Sequence, residues 1–307
     1  MSPSRRVLYL NPMTYETNPG VDAIAHGLQH RLAGADVDLR VVWADFATPD
    51  WLEVSEQAID SALAKGFDAV ILYVLDPEQP AAAAARATAA GVPVFSFEKP
   101  HFPVAGSIVY PNFNHGVYLA EHLAAHLPAG ARVGIVGGPK IIDDDELVAG
   151  IIHGTDHGGL KRVNDPTEDR YRNQTDLRPG GREAALRVLA DHPDVAGIIP
   201  FNDETMLGTL DALAELGRHD LKPVSRNGTP KAVDALRQGR TLGTWDIDAP
   251  GIGAAMAELV LRHLDDGVGS GELVLGPIGR MIDASNVAGW TPWSARIPYE
   301  TLHQGLD

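Results

Sequence analysis

Hydrophobic and polar positions follow two alternating periods along this chain. Short apolar runs bounded by Gly, Pro or Asn are typical of strands, and apolar residues three or four apart are typical of helices. Strands are predicted within 6–12, 37–45, 68–76, 92–100, 131–138, 195–203, 221–228 and 242–251. Helices are predicted near 20–33, 50–65, 79–90, 144–158, 177–191, 204–216, 230–238 and 251–266. This alternation predicts parallel sheets with helices on both faces.

The alternation falls into two series, separated by the segment "SIVYPNFNHG" at 107–116. A chain of 307 residues is long enough for two domains of ordinary size. Each series therefore predicts one doubly wound α/β domain, in which ligands bind beyond the carboxyl ends of the strands.

Three polar residues, Asn202, Asp203 and Glu204, come directly after an apolar strand and before a predicted helix. Asn202 or Asp203 can cap the first turn of that helix, and Gly217 can end it. Capping explains one of the three polar side chains. The others lie where a doubly wound fold binds its ligand.

Polar and aromatic residues follow nearly every predicted strand. The strand ends read "NPMTYETNPG", "LDPEQ", "FEKPHF", "FNDET", "SRNGTP" and "WDIDAPG". Asn and carboxylate groups bond hydroxyls, and aromatic faces such as Phe113 and Trp245 stack on C–H surfaces, so the mixture favours a polyhydroxylated ligand. Two alternatives stay open: Trp245 belongs to the core or to the pocket, and Arg226 forms an internal ion pair or contacts the ligand.

Composition narrows the class of protein. Hydrophobic residues make up 44% and charged residues 21% of the chain, and no apolar run approaches the length of a membrane span. The net charge of −16 argues against a nucleic-acid partner, and zero cysteines exclude disulfides and thiolate chemistry. The first strand begins without an apolar signal segment, so we expect either a cytoplasmic protein or one whose signal was removed.

Several motifs carry chemistry in other proteins. The pairs His26/His30, His122/His126 and His153/His157 have helical spacing. They lack the "HExxH" glutamate, so solvated or half-buried histidines are expected rather than zinc ligands. The acidic run 143–146 is typical of a helix N-terminus. Complete phosphate-loop, dinucleotide and nucleophile-elbow patterns are missing, so we expect no metal, cofactor or catalytic residue.

Five segments together resemble the type I periplasmic binding proteins, in particular the ribose/galactose-binding group that serves ABC transporters. They are "TNPGVDAIAHGL", the stretch 68–100, "HPDVAGIIPFNDETMLGTLDALAELG", "VSRNGTPKAVDALRQG" and "GTWDIDAPGIGAAMAELVLRHLDDG". The resemblance covers nearly the whole chain and is most specific over 185–265. It implies two doubly wound parallel-sheet lobes with a ligand cleft between them. The expected lobes are 1–109 plus 244–272 and 110–243 plus 273–307. The lobes should be joined by a three-segment hinge near 108–112, 240–245 and 268–280.

The resemblance also implies ligand contacts. Carried over residue by residue, they are Asn18, Glu98, Lys99, Asn202, Asp203, Asn227 and Asp246. Tyr15, Phe113, Arg172, Arg226 and Trp245 complete the expected ligand-binding set. Asn227 stands where the family often has Asp, and Arg226 stands where it often has an apolar residue. The family's arginine is missing from "IIDDDELVAG", and Arg172 is the expected substitute.

The resulting expectation is a monomeric, non-enzymatic solute-binding protein that captures a sugar or polyol by hinge closure and delivers it to the membrane permease of an ABC importer. It would act in the periplasm or at the cell surface. The alternative is the cytoplasmic effector domain of a sugar-responsive regulator, which shares this fold. A third class, an enzyme using carboxylates as acid and base, lacks a paired nucleophile and base. The pattern leaves the ligand's identity open.

Overall fold

A computed structural model describes residues 5–267 and 271–306. Its contacts divide the chain into two compact units. Unit 1 comprises Met1–Tyr110, Ala249–Pro277 and Trp293–Asp307, and unit 2 comprises Pro111–Asp248 and Ile278–Pro292.

Unit 1 is built on one seven-stranded parallel sheet in the order β11-β5-β4-β3-β1-β2-β13. Its strands are β1 (Arg5–Asn11), β2 (Val37–Trp43), β3 (Ala69–Tyr73), β4 (Val94–Phe97), β5 (Gly106–Val109), β11 (Glu272–Leu275) and β13 (His303–Gln304). The chain order reverses between β1 and β3, which are neighbours, so a topological switch point lies at their carboxyl ends.

The described residues of unit 1 form the helices α1 (Pro19–Ala33), α2 (Trp51–Ala64), α3 (Ala81–Ala89), α9 (Ala249–Asp266) and α10 (Trp293–Arg296). Helices α1 and α9 pack closely because each presents a glycine to the other. A Cβ on Gly27 would lie 2.0 Å from the Pro250 carbonyl oxygen, and one on Gly253 equally close to that of Ile24. This packing holds α9 in unit 1.

Unit 2 carries two three-stranded sheets, ordered β7-β6-β8 and β12-β10-β9. Their strands are β6 (Arg132–Val136), β7 (Lys161–Arg162), β8 (Gly197–Pro200), β9 (Val224–Asn227), β10 (Gly243–Asp246) and β12 (Arg280–Asp283). All pairs are parallel except β10 with β12. The helices are α4 (Asn112–Ala124), α5 (Ile142–His157), α6 (Arg178–Asp191), α7 (Asp203–Glu215) and α8 (Pro230–Arg237).

Each unit has its own apolar core. In unit 1, Leu8, Ile59 and Val70 are buried between the sheet and its helices. In unit 2, Val188, Ile198 and Met206 pack around one face of the β6–β8 sheet. The α/β prediction with parallel sheets in two lobes is therefore confirmed.

The division of the chain differs from the prediction at 110, 244–248, 273–277 and 293–307, and Tyr110 and residues 273–277 lie in unit 1. Residues 244–248 belong to unit 2, because β10 pairs along its length with β9, placing Trp245 opposite Arg226. The segment from Trp293 belongs to unit 1, because β13 pairs with β2. The chain consequently passes between the units at 110/111, 248/249, 277/278 and 292/293, four points rather than the three predicted. Residues 268–270 of the last predicted crossing lie outside the described residues.

Candidate functional site

The carboxyl end of β1 places two asparagines in unit 1. Asn18 is buried and caps α1, its side-chain oxygen accepting a 3.0 Å hydrogen bond from the Gly20 backbone N–H. Asn11, the last residue of β1, is fully buried and accepts a hydrogen bond from the Tyr9 hydroxyl at 3.3 Å. Its amide nitrogen has no hydrogen-bonding partner among the described residues. The sequence reading omitted Asn11, although its place at a strand end was visible.

The other predicted residues of unit 1 differ in exposure. Glu98 follows β4, is buried, and has a left-handed backbone with φ +63°, which is uncommon for residues other than glycine. Lys99 is exposed. Tyr15 is exposed as well, and its hydroxyl lies 3.1 Å from the His26 ring nitrogen Nε2. Unit 1 therefore buries Asn18 and Glu98 and leaves Lys99 and Tyr15 accessible.

Asn202 and Asp203, at the carboxyl end of β8 in unit 2, have separate roles in the fold. Asn202 is the N-cap of α7: its oxygen accepts from the Thr205 backbone N–H at 3.0 Å, and its amide donates to Asp176. Asp203 is fully buried and accepts three hydrogen bonds. They come from the Ser225 hydroxyl (2.6 Å), the Thr244 hydroxyl (2.7 Å) and the Thr229 backbone N–H (2.7 Å). Asp203 thereby ties the ends of β8, β9 and β10 together.

Arg226 anchors a buried polar cluster in unit 2. Its guanidinium donates to the Asn112 side-chain oxygen at 2.7 Å and lies 3.8 Å from an Asp144 oxygen. The residue is only 7% exposed, yet its Nε has no hydrogen-bonding partner in the described part of the chain. An ion pair is thus present, but the guanidinium is not saturated.

The cluster contains more carboxyl groups than guanidinium groups. Burial, reinforced by Asp143 and Asp176, raises the pKa of Asp144 well above its usual range, and Arg226 opposes the shift. Burial also raises the pKa of Asp176 to about 7. Burial and the charge of Arg226 lower the pKa of His115 to about 3, so its ring is neutral. A single arginine does not offset these buried carboxyl groups.

Arg172 stabilises the turn that follows β6. Its guanidinium donates to the backbone oxygens of Thr167, Gly138 and Pro139 at 2.9–3.1 Å and to Asp145 at 2.9 Å. These contacts hold the turn after β6 and employ all three guanidinium nitrogens.

The ends of β9 and β10 lie side by side, with Asn227 opposite Asp246. Asn227 has φ +132°, a conformation that costs a non-glycine residue about 1–3 kcal/mol and that is concentrated at functional sites. Asp246 accepts from the Trp290 ring N–H at 2.8 Å and from the Asp248 backbone N–H at 3.0 Å. Both residues are buried.

The aromatic candidates of unit 2 are more accessible. Trp245 is half-buried, stacks on Tyr118 with ring centroids 4.8 Å apart, and donates from its ring N–H to the Ile278 carbonyl at 3.0 Å. Phe113 is exposed and lies beside His153. Trp245 thus packs at one face and remains accessible at another.

Sequence reading missed several members of this site, notably Asn112, His115, Asp144 and Asp176. The run 143–146 does begin α5 with acidic residues, as predicted for a helix N-terminus. Asp143 and Asp144 are nevertheless buried rather than solvated. The available signal was three consecutive aspartates beside a strand end, which sequence alone also explains by the helix dipole.

The histidine pairs have local partners. The rings of His122 and His126 lie 4.8 Å apart, and those of His153 and His157 lie 4.2 Å apart. Within residues 5–267 and 271–306, no group of three His, Cys, Asp or Glu side chains could hold a metal ion. Across the same described ranges, no helix has the length and apolar character needed to cross a membrane.

Comparison with known proteins identifies the family of this chain. The model of the family described as "Periplasmic binding protein domain" matches residues 12–268. The D-ribose/D-allose-binding protein of Pseudomonas aeruginosa is 25% identical over 204 residues, covering 61% of this chain and 60% of that protein. The xylitol-binding protein of Mycolicibacterium smegmatis is 25% identical over 203 residues, covering 62% of this chain and 55% of that protein. These matches therefore span less than two thirds of either relative's length.

Solved structures share the fold at lower identity. An ABC transporter periplasmic solute-binding protein from Actinobacillus succinogenes with bound D-allose aligns with a TM-score of 0.81 at 19% identity, covering 93% of this chain and all of that one. The Caulobacter myo-inositol-binding protein aligns with a TM-score of 0.79 at 18% identity, covering 94% and 96%.

Proposed function

Because this chain belongs to the periplasmic binding protein family, we propose that it captures a small polyhydroxylated solute, a sugar or polyol, and presents it to the permease of an ABC importer. The proposed place of action is the periplasm or the cell surface, and the proposed active form is a monomer. Relatives that bind ribose, allose, xylitol or myo-inositol support this ligand class.

The observation that carries the proposal is the set of buried hydrogen-bonding groups at strand carboxyl ends. In unit 1 the Asn11 amide, and in unit 2 the Arg226 Nε, are buried donors without a partner among the described residues. Leaving such a donor unmatched costs roughly 1–3 kcal/mol. A ligand hydroxyl that accepts from either donor would recover that cost, and hydroxyls also donate to carboxylates.

We propose that both units contribute to one ligand site and that a hinge motion closes it, as in other two-lobed binding proteins. Unit 1 would supply Asn11, Asn18 and Glu98, with Lys99 and Tyr15 at the rim. The proposed contributions of unit 2 are Asn202, Arg226, Asn227, Asp246, Trp245 and Phe113. For Asp203 and Arg172 we propose a positioning role, since their polar atoms already bond neighbouring groups.

We expect no turnover of the bound solute. A hydrolytic or transfer reaction needs a nucleophile beside a base that activates it. Three buried carboxyl groups here have other partners: Asp203 accepts from Ser225, Asp176 accepts from Asn202, and Asp144 pairs with Arg226.

The test is a thermal-shift screen with D-ribose, D-allose, xylitol and myo-inositol, followed by calorimetric titration of each solute that raises the melting temperature. A solute that binds only the native state stabilises it by about 2.7 kcal/mol at one hundred times its Kd. Small dicarboxylic acids serve as the matched non-polyol panel. Stabilisation by the acids alone, or chemical conversion of a bound solute, would contradict the proposal.

Closure has a separate measurement. Small-angle scattering with and without the identified solute should show a smaller radius of gyration in its presence. Unchanged scattering at saturating solute would overturn the hinge mechanism while leaving solute capture standing.

A further inference from the structure

Unit 1 contains a cavity formed by the turn after β1, the end of β2, helix α1 and the C-terminal segment. Its volume is about 340 Å³. Tyr15, His26, Trp43, Tyr299 and Glu300 line it, together with the residues that follow Glu300. Trp43 is the last residue of β2. In the sheet, β2 lies on one side of β1, and the switch point lies on the other side, between β1 and β3. The cavity is therefore distinct from the strand ends next to β3.

Four aromatic rings form a continuous wall in this cavity. Tyr15 is stacked on Trp43 with centroids 5.6 Å apart and meets His26 edge-on at 5.9 Å. His26 is stacked on Tyr299 at 4.0 Å. Because each ring supports the next, the wall is preorganised. The faces of tyrosine and tryptophan rings carry negative potential that attracts cations.

The charge beside the cavity is negative, like the potential on the ring faces. Glu300 lines it, and the residues found to line it include no Lys or Arg. Burial and the nearby Asp22 carboxylate raise the pKa of Tyr299 to about 12, with Arg296 as the weakest, opposing influence. Glu300 also lies 3.4 Å from a His30 ring nitrogen.

The remaining titratable groups do not reverse this sign. Burial, followed by the charges of Asp22 and Glu16, raises the pKa of Tyr15. Burial lowers the pKa of His26, so its ring adds no positive charge near neutral pH. Aromatic faces beside carboxylates constitute the recognition chemistry of organic cations.

We propose that this cavity binds a small organic ammonium group, of the size of a trimethylammonium head. The aromatic wall supplies cation–π contacts, and the Glu300 carboxylate that lines the cavity supplies charge. Tyr15, proposed above for the rim of the polyol site, is the one residue that the two proposed sites share, so either proposal can fail without the other.

The test compares two ligands of matched shape, choline and its uncharged isostere 3,3-dimethylbutan-1-ol, by calorimetric titration of the full chain. Choline should bind at least about tenfold more tightly, because the isostere lacks the cation–π attraction. Equal affinities would overturn the ammonium assignment, and the absence of saturable choline binding would overturn the site.

Four variants locate the binding. Tyr299→Leu and Trp43→Leu should each weaken choline binding about tenfold, whereas Tyr299→Phe should retain it because the ring face is kept. Trp51→Leu is the matched control, since Trp51 is another half-buried tryptophan of unit 1 outside the cavity lining. Wild-type choline affinity in both Tyr299→Leu and Trp43→Leu would place the binding elsewhere and overturn the proposal. Polyol titrations of the same proteins should be unchanged.

Discussion

The two units bury very different numbers of charged side chains. Among the described residues, Glu98 is the only buried Asp, Glu, Lys or Arg of unit 1. Unit 2 buries eight: Asp143, Asp144, Arg172, Asp176, Asp203, Glu204, Arg226 and Asp246. The carboxyl end of β1 in unit 1 carries neutral amides instead, those of Asn11 and Asn18.

The difference shows what a parallel sheet determines and what it leaves to the sequence. Parallel strands bring their carboxyl ends to one edge, so polar side chains converge there in both units. The sheet does not determine their charge. In unit 2 the six carboxyl groups exceed the two guanidinium groups, so the acids are held by hydrogen bonds or by protonation. We therefore expect substitutions in unit 2 to have larger effects on stability and on its pH dependence.

The largest effect is expected for Arg226→Met. The variant removes the guanidinium that opposes the raised pKa values of Asp144 and Asp176, so ionising these buried carboxyl groups becomes more costly. The free energy of unfolding should fall by about 3–5 kcal/mol at neutral pH, measured by urea denaturation followed by circular dichroism.

Arg237→Met is the control for that experiment. Arg237 is an exposed arginine of the same unit, paired with Asp234 at 3.0 Å. An exposed pair contributes up to about 1 kcal/mol, so the loss should be small. Equal losses in the two variants would mean that the buried cluster is not short of positive charge, and the contrast between the units would not hold.

Asp203→Ala should have the next largest effect. It leaves the Ser225 hydroxyl, the Thr244 hydroxyl and the Thr229 N–H without their acceptor, at a cost of roughly 2–3 kcal/mol. Because Asp203 is fully buried, we expect solute affinity to change by less than about threefold. Calorimetric titration together with denaturation measures both. A large loss of affinity at little cost in stability would make Asp203 a ligand contact instead.

A separate effect concerns pH. The folded-state pKa of Asp176 is about 7 against an ordinary value of 3.8, so between these limits the folded protein holds a proton that the unfolded chain has released. Its contribution to stability is present below about pH 4 and is lost as pH rises through about 7. Asp143, Asp144 and Glu204 face Asp176, as does Arg226.

Asp176→Asn should remove this pH dependence, because the amide oxygen still accepts from Asn202 and carries no charge. At pH 8 the variant should be more stable than the parent. The gain should be about 1.4 kcal/mol for every tenfold difference in proton affinity of Asp176 between the folded and unfolded parent. The gain should vanish near pH 4. Melting temperatures from pH 4 to 8 measure it. Asp220→Asn is the control with the opposite sign, since a hydrogen bond from Arg218 lowers the pKa of Asp220. Parallel melting curves for parent and Asp176→Asn would contradict the expected protonation.

Regular helices were predictable to within a few residues. The helix expected at 204–216 is Asp203–Glu215, and the one expected at 230–238 is Pro230–Arg237. The helix Asn112–Ala124 was missed, because Gly116 and polar residues interrupt the apolar spacing of its first turns. Five short strands were missed as well: β5, β7, β11, β12 and β13. Each has two to four residues, which are too few to show a period by themselves.

The site was predictable where it depends on strand ends and not where it depends on long-range burial. Asn202, Asn227 and Asp246 each lie at or directly after a strand end, which the pattern reveals. Asp176 lies in the segment before α6 and becomes buried through a contact with Asn202, 26 residues away. Nothing local distinguishes such an aspartate from a solvated loop residue.

The smallest effect is a comparison of matched caps, Asn18 in unit 1 and Asn202 in unit 2. Both side-chain oxygens accept one backbone hydrogen bond at 3.0 Å, so Asn→Ala should cost about 1 kcal/mol of stability at either position. Asn→Ser keeps a capping oxygen and should restore most of that stability, but it removes the amide donor. If the amides also bond the solute, both serine variants should bind it about tenfold more weakly than the wild type despite their recovered melting temperatures. Since the amide of Asn202 already donates to Asp176, its serine variant should also show an altered pH dependence. Full recovery of affinity in both serine variants would reduce the two asparagines to helix caps.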